Sequence, residues 1–293
     1  MKKGIIFSII TALLFVTLEP VSKLIANAVN PYAITFWRFL IGSVILVIPA
    51  TIKVKREKIK ITLKDILIMI CLGILFICVS MVTLQIAVKK ADSPSLIAII
   101  FSSNSIFTIL FSFMLVKEEK LTKNKITAVI FGIIGVMLCT DFSSGTNLTS
   151  VALALVAAIS FSLYTAISRK YMKTVNGVVQ SAGVFLAGSI VLLIALLCMK
   201  VDVSIPVNTD ILMILLYLGL FVTGVGYASY FIAMERGGAI MASLAFFIKP
   251  ILTPFATLVI VGIMPDVKVF LAILCIVAAS YFAVYKKSKN NIN

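Results

Sequence analysis

No histidine occurs anywhere in the 293 residues, which removes imidazole acid–base catalysis and the commonest metal ligand together. Acidic residues are outnumbered, 11 Asp and Glu against 26 Lys and Arg. The five cysteines, Cys71, Cys78, Cys139, Cys198 and Cys275, all fall in apolar runs, and no C-x-x-C occurs. An odd number without such spacing gives neither a disulfide framework nor a zinc site, so they read as small packing residues. P-loop, dinucleotide-binding glycine and nucleophile-elbow patterns are missing as well. ATP hydrolysis by this chain and enzymatic chemistry in general are therefore not expected, and no cofactor is called for.

Hydrophobic residues make up 61% of the chain and charged ones only 13%, where a soluble domain carries about 25% charge. Such a surplus needs an apolar solvent, and the lipid bilayer supplies one. The net charge of +15 would suggest nucleic acid in a soluble protein. Here the cations sit in short gaps between apolar runs, and no nucleic-acid partner is expected.

A helix crosses the hydrocarbon in about 20 residues. Ten stretches qualify: 4–27, 32–51, 66–88, 93–116, 124–140, 149–168, 177–199, 210–233, 239–263 and 267–285. The first imitates a secretory signal, with Lys2 and Lys3 ahead of it and Ala26-Asn27-Ala28 like a cleavage site. Its length and its Glu19 make it a span instead. With a cytoplasmic N-terminus, nineteen Lys and Arg lie on the inner side and four on the outer. The positive-inside rule then puts both termini in the cytoplasm of a multi-pass cytoplasmic-membrane protein.

A shift of 146 residues lays Ile41-Gly42-Ser43 on Ala187-Gly188-Ser189, Lys23 on Arg169, Gly73 on Gly219 and Ala87 on Ala233. The expected fold is all-α: ten transmembrane helices in two inverted five-helix repeats, 1–146 and 147–293. An odd number of spans per half turns the second half upside down, an arrangement recurrent in secondary transporters with midplane binding sites.

Local sequence then resembles a known family. Phe36-Trp37-Arg38-Phe39-Leu40 opens the second span. Phe111-Ser112-Phe113-Met114-Leu115 precedes Glu118-Glu119-Lys120-Leu121-Thr122 at the end of the fourth. Gly132-Ile133-Ile134-Gly135-Val136 lies in the fifth. Ala242-Ser243-Leu244 leads to Phe247-Ile248-Lys249-Pro250 in the ninth. In this order they resemble EamA-type members of the drug/metabolite transporter superfamily. Two departures stand out: Ser102-Ser103-Asn104-Ser105 replaces a fourth-helix proline, and Met264-Pro265-Asp266 stands where a Glu follows the ninth helix. The resemblance implies proton-coupled or facilitated movement of small metabolites, most often export of amino acids or related compounds.

A charge at membrane depth is unfavourable by about 2.5–3.5 kcal/mol and so asks for a partner or a purpose. Glu19, beside the helix-kinking Pro20, is a candidate proton site; its partner could be Lys23 one turn on, Arg38 or Lys249. Lys249, next to Pro250 in mid-span, is a candidate for an anionic substrate group or for neutralising Glu19. Arg38 is a candidate of more structural character. Under the 146-residue shift Ser103 falls on Lys249 and Asn104 on Pro250, which points to a polar midplane site. Gln85, Tyr164, Tyr227 and Tyr230 complete the candidate pathway, although tyrosines near span ends more often anchor at the interface. Gly219, Gly224 and Gly226 read as close-approach positions.

The expected activity is secondary active transport, by alternating access, of small polar metabolites such as amino acids. The expected partners are the substrate, protons and the lipid bilayer. Export of lipophilic cationic drugs and a non-transporting scaffold or receptor are the alternatives. Oligomeric state cannot be read from the sequence.

Overall fold

A computed structural model describes residues 2–115, 147–171, 177–264 and 267–284, with positions 124, 126, 127, 130, 131, 134, 135 and 138 between them. The fifth expected span, the Glu118-Glu119 motif, Pro265-Asp266 and the C-terminal lysines therefore fall wholly or mostly outside the described residues. Those that are described form helices without a strand. In order they are α1 (Lys2–Val16), α2 (Leu18–Ile25), α3 (Pro31–Glu57), α4 (Leu63–Gly73), α5 (Val82–Lys90), α6 (Pro94–Ser102), α7 (Asn104–Leu115), α8 (Leu148–Tyr171), α9 (Gly177–Cys198), α10 (Thr209–Leu216), α11 (Gly226–Val261) and α12 (Val267–Val284). Two π-helical stretches, Ile74–Met81 and Tyr217–Val225, join α4 to α5 and α10 to α11.

Helix ends follow local chemistry. Asn30 caps α3 by accepting from the Tyr32 amide, and Pro31 fills the first turn, where its missing N–H is harmless. Thr62 and Asp65 form a reciprocal capping box at α4. Asn208 accepts from the amides of Asp210 and Ile211 to start α10. Gly262 ends α11 at φ 76°, in the left-handed region that glycine reaches without strain.

Seven helical segments among the described residues are long and apolar enough to cross a membrane, from Gly4–Ile25 to Thr209–Ala233. They correspond to the expected spans one to four and six to eight. Shorter apolar helices, Ile248–Val261 and Val269–Ala279, fall on the last two. Large apolar side chains such as Leu13, Val44, Ile48 and Leu197 face outward, while Glu19, Arg38, Lys249 and many Ser and Thr are buried. That inside-out distribution suits hydrocarbon as solvent.

Helical backbone continues through 233–239, where the sequence suggests a turn. The chain nevertheless reverses there. Sixteen residues of straight helix would separate Tyr230 from Phe246 by about 24 Å, yet their ring centroids are 5.8 Å apart and both rings pack on Phe15. The eighth and ninth spans thus run antiparallel, with Arg236, Gly237 and Gly238 lying between them.

Small residues let the backbones approach. A Cβ on Gly73 would lie 2.7 Å from the Gly188 nitrogen, and one on Gly188 2.8 Å from the Gly73 carbonyl oxygen. A Cβ on Gly42 would lie 2.7 Å from Thr223 Cγ2 and 3.3 Å from the Gly219 carbonyl oxygen. Side-chain hydroxyls add interhelical hydrogen bonds, Ser80 Oγ to the Ala157 carbonyl at 2.7 Å and Thr11 Oγ1 to that of Gly226 at 3.3 Å.

Candidate functional site

The first span breaks at Thr17, between α1 and α2, because Pro20 has no N–H to bond back along the helix. Glu19 sits just past that break and is fully buried. Its Oε1 accepts from Lys249 Nζ at 2.6 Å. Lys249, also buried, lies within the ninth span, with its ammonium 5.1 Å from the centroid of the Phe101 ring. A cation over an aromatic face adds electrostatic attraction to the ion pair. Of the three partners open to Glu19 from sequence, the structure selects the most distant in the chain.

Lys23 is engaged elsewhere. Its Nζ donates to the carbonyls of Val88 and Lys89, both at 3.2 Å, and to that of Ala91. Those groups close the C-terminus of α5, where helix carbonyls have no partner of their own and a cation complements the helix dipole. The i,i+4 spacing from Glu19 was a poor guide because the helix end offered Lys23 three acceptors at once.

Arg38, on α3, is 2% exposed. Its Nη2 donates to Met81 Sδ at 3.3 Å, and the guanidinium lies 4.7 Å above the Phe39 ring. Arg38 is near enough to Glu19, Lys249 and Tyr227 to act on each electrostatically. Glu19 Oε2 and Arg38 Nε have no hydrogen-bond partner among the described residues.

The tyrosines are not interfacial anchors. Tyr164, Tyr227 and Tyr230 are 2–5% exposed. Tyr164 stacks on Phe76 at 4.5 Å, Tyr227 lies 4.8 Å from Phe15 and 5.2 Å from Phe185, and Tyr230 packs on Phe246. The Tyr227 hydroxyl donates to Met81 Sδ at 3.9 Å, so one sulfur serves both Tyr227 and Arg38.

The polar run of the fourth span turns inward on its own helix. Ser102 Oγ bonds to the Ala98 carbonyl, Ser103 Oγ to that of Ile100, Asn104 Nδ2 to that of Phe101, and Ser105 Oγ to that of Ser102. These bonds compete with the helix ladder and accompany the break between α6 and α7. Ser162 Oγ of α8 reaches the Asn104 carbonyl at 2.7 Å. The fourth span meets Lys249 through Phe101, while Ser103 and Asn104 bond to carbonyls of their own span. Gln85 is buried on α5, and its Nε2 has no partner among the described residues.

Sequence reasoning missed the phenylalanines. Phe39, Phe76, Phe161 and Phe185 form an unbroken series of ring contacts, with Phe39–Phe76 at 5.3 Å and Phe76–Phe161 at 5.6 Å. Nothing in a chain with 20 Phe marks which of them converge. Gln180 was missed too; its Nε2 donates to Ser168 Oγ at 2.8 Å. No group of three or more metal-ligating side chains occurs among the described residues.

A bundle of apolar helices, burying an ion pair and an unshared arginine in an aromatic centre, is a multi-pass membrane protein of transporter type. The chain belongs to the EamA-like transporter family of the drug/metabolite transporter superfamily, whose model matches residues 2–140 and again 148–285. It is a transporter and not an enzyme. A protein of Clostridium kluyveri described as an uncharacterized transporter is 33% identical over 300 residues, covering 99% of this chain and 96% of its own. One of Archaeoglobus fulgidus with the same description is 25% identical over 229 residues, 78% of this chain and 79% of its own. A protein crystal structure at 19% identity shares the fold, with a TM-score of 0.70 and coverage of 97% and 96%.

Proposed function

We propose that the chain is a secondary active exporter of small polar metabolites bearing an anionic group, amino acids among them, and that it works by alternating access. The Glu19–Lys249 pair carries the reading. It joins the first span to the ninth at 2.6 Å, and protonating Glu19 would remove the attraction that holds the two spans together. A buried ion pair is weak evidence of stability, since desolvation offsets most of the attraction. Its place between two packed spans fits a breakable link better than a staple.

The same reading has ten spans in two inverted halves, with both termini in the cytoplasm. The glycine contacts support it. Under the 146-residue shift Gly42 falls on Gly188 and Gly73 on Gly219, so Gly73 against Gly188 and Gly42 against Gly219 are one contact made twice. Export of lipophilic cations is disfavoured, because Arg38 and Lys249 together outnumber Glu19 at the centre.

The test uses purified protein in proteoliposomes under an imposed pH gradient, challenged with amino acids and organic acids while lumenal pH is recorded. Wild type should move protons with one cargo class, and Glu19→Gln should not. No proton movement with any cargo would end the coupled reading. No flux with either class would place the cargo outside both and end the anionic-metabolite reading.

A further inference from the structure

We propose that Arg38 is the anchor for the cargo's carboxylate, and that the cargo is a monocarboxylate with an aromatic or otherwise apolar body. This rests on the chain being a transporter and narrows its cargo, from anionic metabolites with amino acids among them to monocarboxylates that carry no ammonium.

Charge is the first argument. Glu19 and Lys249 share a short hydrogen bond, and wherever its proton sits the pair sums to zero. Arginine does not give up its proton in proteins. The centre therefore carries one positive charge, on Arg38, and among the described residues no carboxylate forms an ion pair with it. A cation that is 2% exposed and rests on a thioether and one ring is poorly compensated, since sulfur is a weak acceptor and an unpaired buried charge is expensive. Its Nε–H has no partner among the described residues. A planar fork whose Nε–H is unspent and whose Nη2 is held only by a weak sulfur acceptor suits the two oxygens of a carboxylate, the geometry in which arginine outperforms lysine.

The surroundings specify the rest of the molecule. Phe39 lies beneath the guanidinium, and Phe76, Phe185 and Tyr227 each pack on Phe39. Such walls favour flat apolar groups and disfavour inorganic phosphate or sulfate, which would lose hydration without new donors. A second carboxylate on the cargo would enter the same rings, where the other buried cation among the described residues, Lys249, is already paired with Glu19. Among the described residues, the carboxylate oxygen of the centre without a hydrogen-bond partner is Glu19 Oε2, for which the ammonium of an amino acid would compete with Lys249. One negative charge on an apolar body satisfies all of these.

The experiment is binding to the purified full-length protein in detergent at alkaline pH, read as a melting shift across concentration. Three probes share one body: 3-phenylpropanoate, 3-phenylpropan-1-ol and 3-phenylpropan-1-amine; phenylalanine is the zwitterion. The acid should stabilise wild type, the alcohol and amine should not, and phenylalanine should bind at least tenfold more weakly. Arg38→Gln should weaken the acid at least tenfold. Arg38→Lys, which keeps the charge and guards against a folding defect, should fall between. Unchanged acid binding in Arg38→Gln, or amine or phenylalanine binding as tightly as the acid, would overturn the assignment. Counterflow in proteoliposomes separates the two readings. Acid that binds through Arg38 without exchange would refute transport of this cargo and keep the anchor. Proton-coupled flux of other cargo with no acid binding would do the reverse.

Discussion

Phe39 and Phe185 meet edge to face with ring centroids 5.1 Å apart, and 146 positions separate them in the chain. The same interval separates Met81 from Tyr227, whose hydroxyl donates to its sulfur. If the halves are related by a two-fold with that spacing, residues i and i+146 are mates, and mates touch only on the axis. Both pairs lie in the aromatic centre beside Arg38.

Truncating either mate should then be nearly equivalent. Phe39→Ala and Phe185→Ala should each destabilise by about 3–5 kcal/mol, as buried Phe-to-Ala changes do, with melting midpoints in detergent falling alike. The double variant should lose less than the sum, because the shared contact disappears once. Strongly unequal singles would argue against the axis.

Removing one partner of the buried ion pair should be worse than removing both. Lys249→Met leaves Glu19 uncompensated and should cost about 3–5 kcal/mol, with transport abolished and membrane insertion kept. Adding Glu19→Gln should restore most of the melting midpoint without restoring coupled flux. Unchanged transport in Lys249→Met would remove Lys249 from the pathway.

Glycines should divide by what stands opposite. Gly73→Ala and Gly188→Ala push a methyl into backbone at 2.7–2.8 Å and should destabilise by about 1–3 kcal/mol. Gly224→Ala, whose new methyl would meet nothing nearer than 3.4 Å, should be neutral or slightly stabilising, since alanine favours helix. Expression level and melting midpoint give the comparison.

Lys23 holds three carbonyls at the end of α5. Lys23→Met should cost about 0.5–1.5 kcal/mol, the net worth of hydrogen bonds that are part-buried or exposed. Hydrogen exchange near Val88–Ala91 should rise, and Glu19-dependent proton coupling should persist. Coupling lost along with the cap would tie Lys23 to Glu19 after all.

Orientation can be read by labelling single cysteines in intact cells, with the five native ones replaced. Under the proposed topology Ser204→Cys should react with a membrane-impermeant maleimide and Thr62→Cys should not. The Ser204 loop offers a pH check as well. The Ser204 hydroxyl and amide donate to Asp202 and hold its carboxyl below the ordinary range. Any stability from that turn is therefore present above the usual Asp value and fades only as pH falls through the lower folded one.

The bundle was legible because apolar run length and cation placement are local, additive properties of a chain in lipid. Glu19, Arg38 and Lys249 stood out for the same reason, as charges where charge is costly. Partner choice was not legible. Lys23 lies one turn from Glu19, yet it bonds at the end of a helix some 65 residues on. The Ser102–Ser105 run advertised a polar site and spends its side chains on its own backbone. The phenylalanines that line the centre look, residue by residue, like those facing lipid, since hydropathy cannot tell a ring that meets other rings from one that meets acyl chains.

The two π-helical stretches fall in the third and eighth spans. A π-turn holds one residue more than an α-turn, while one residue turns an α-helix by about 100°. In most spans a single-residue insertion or deletion would swing every side chain beyond it off its neighbour. In these two, the wider turns can take up or release a residue and leave the faces beyond, Met81 and Tyr227 included, aimed as before. They are the places where the chain's length and its side-chain register come uncoupled.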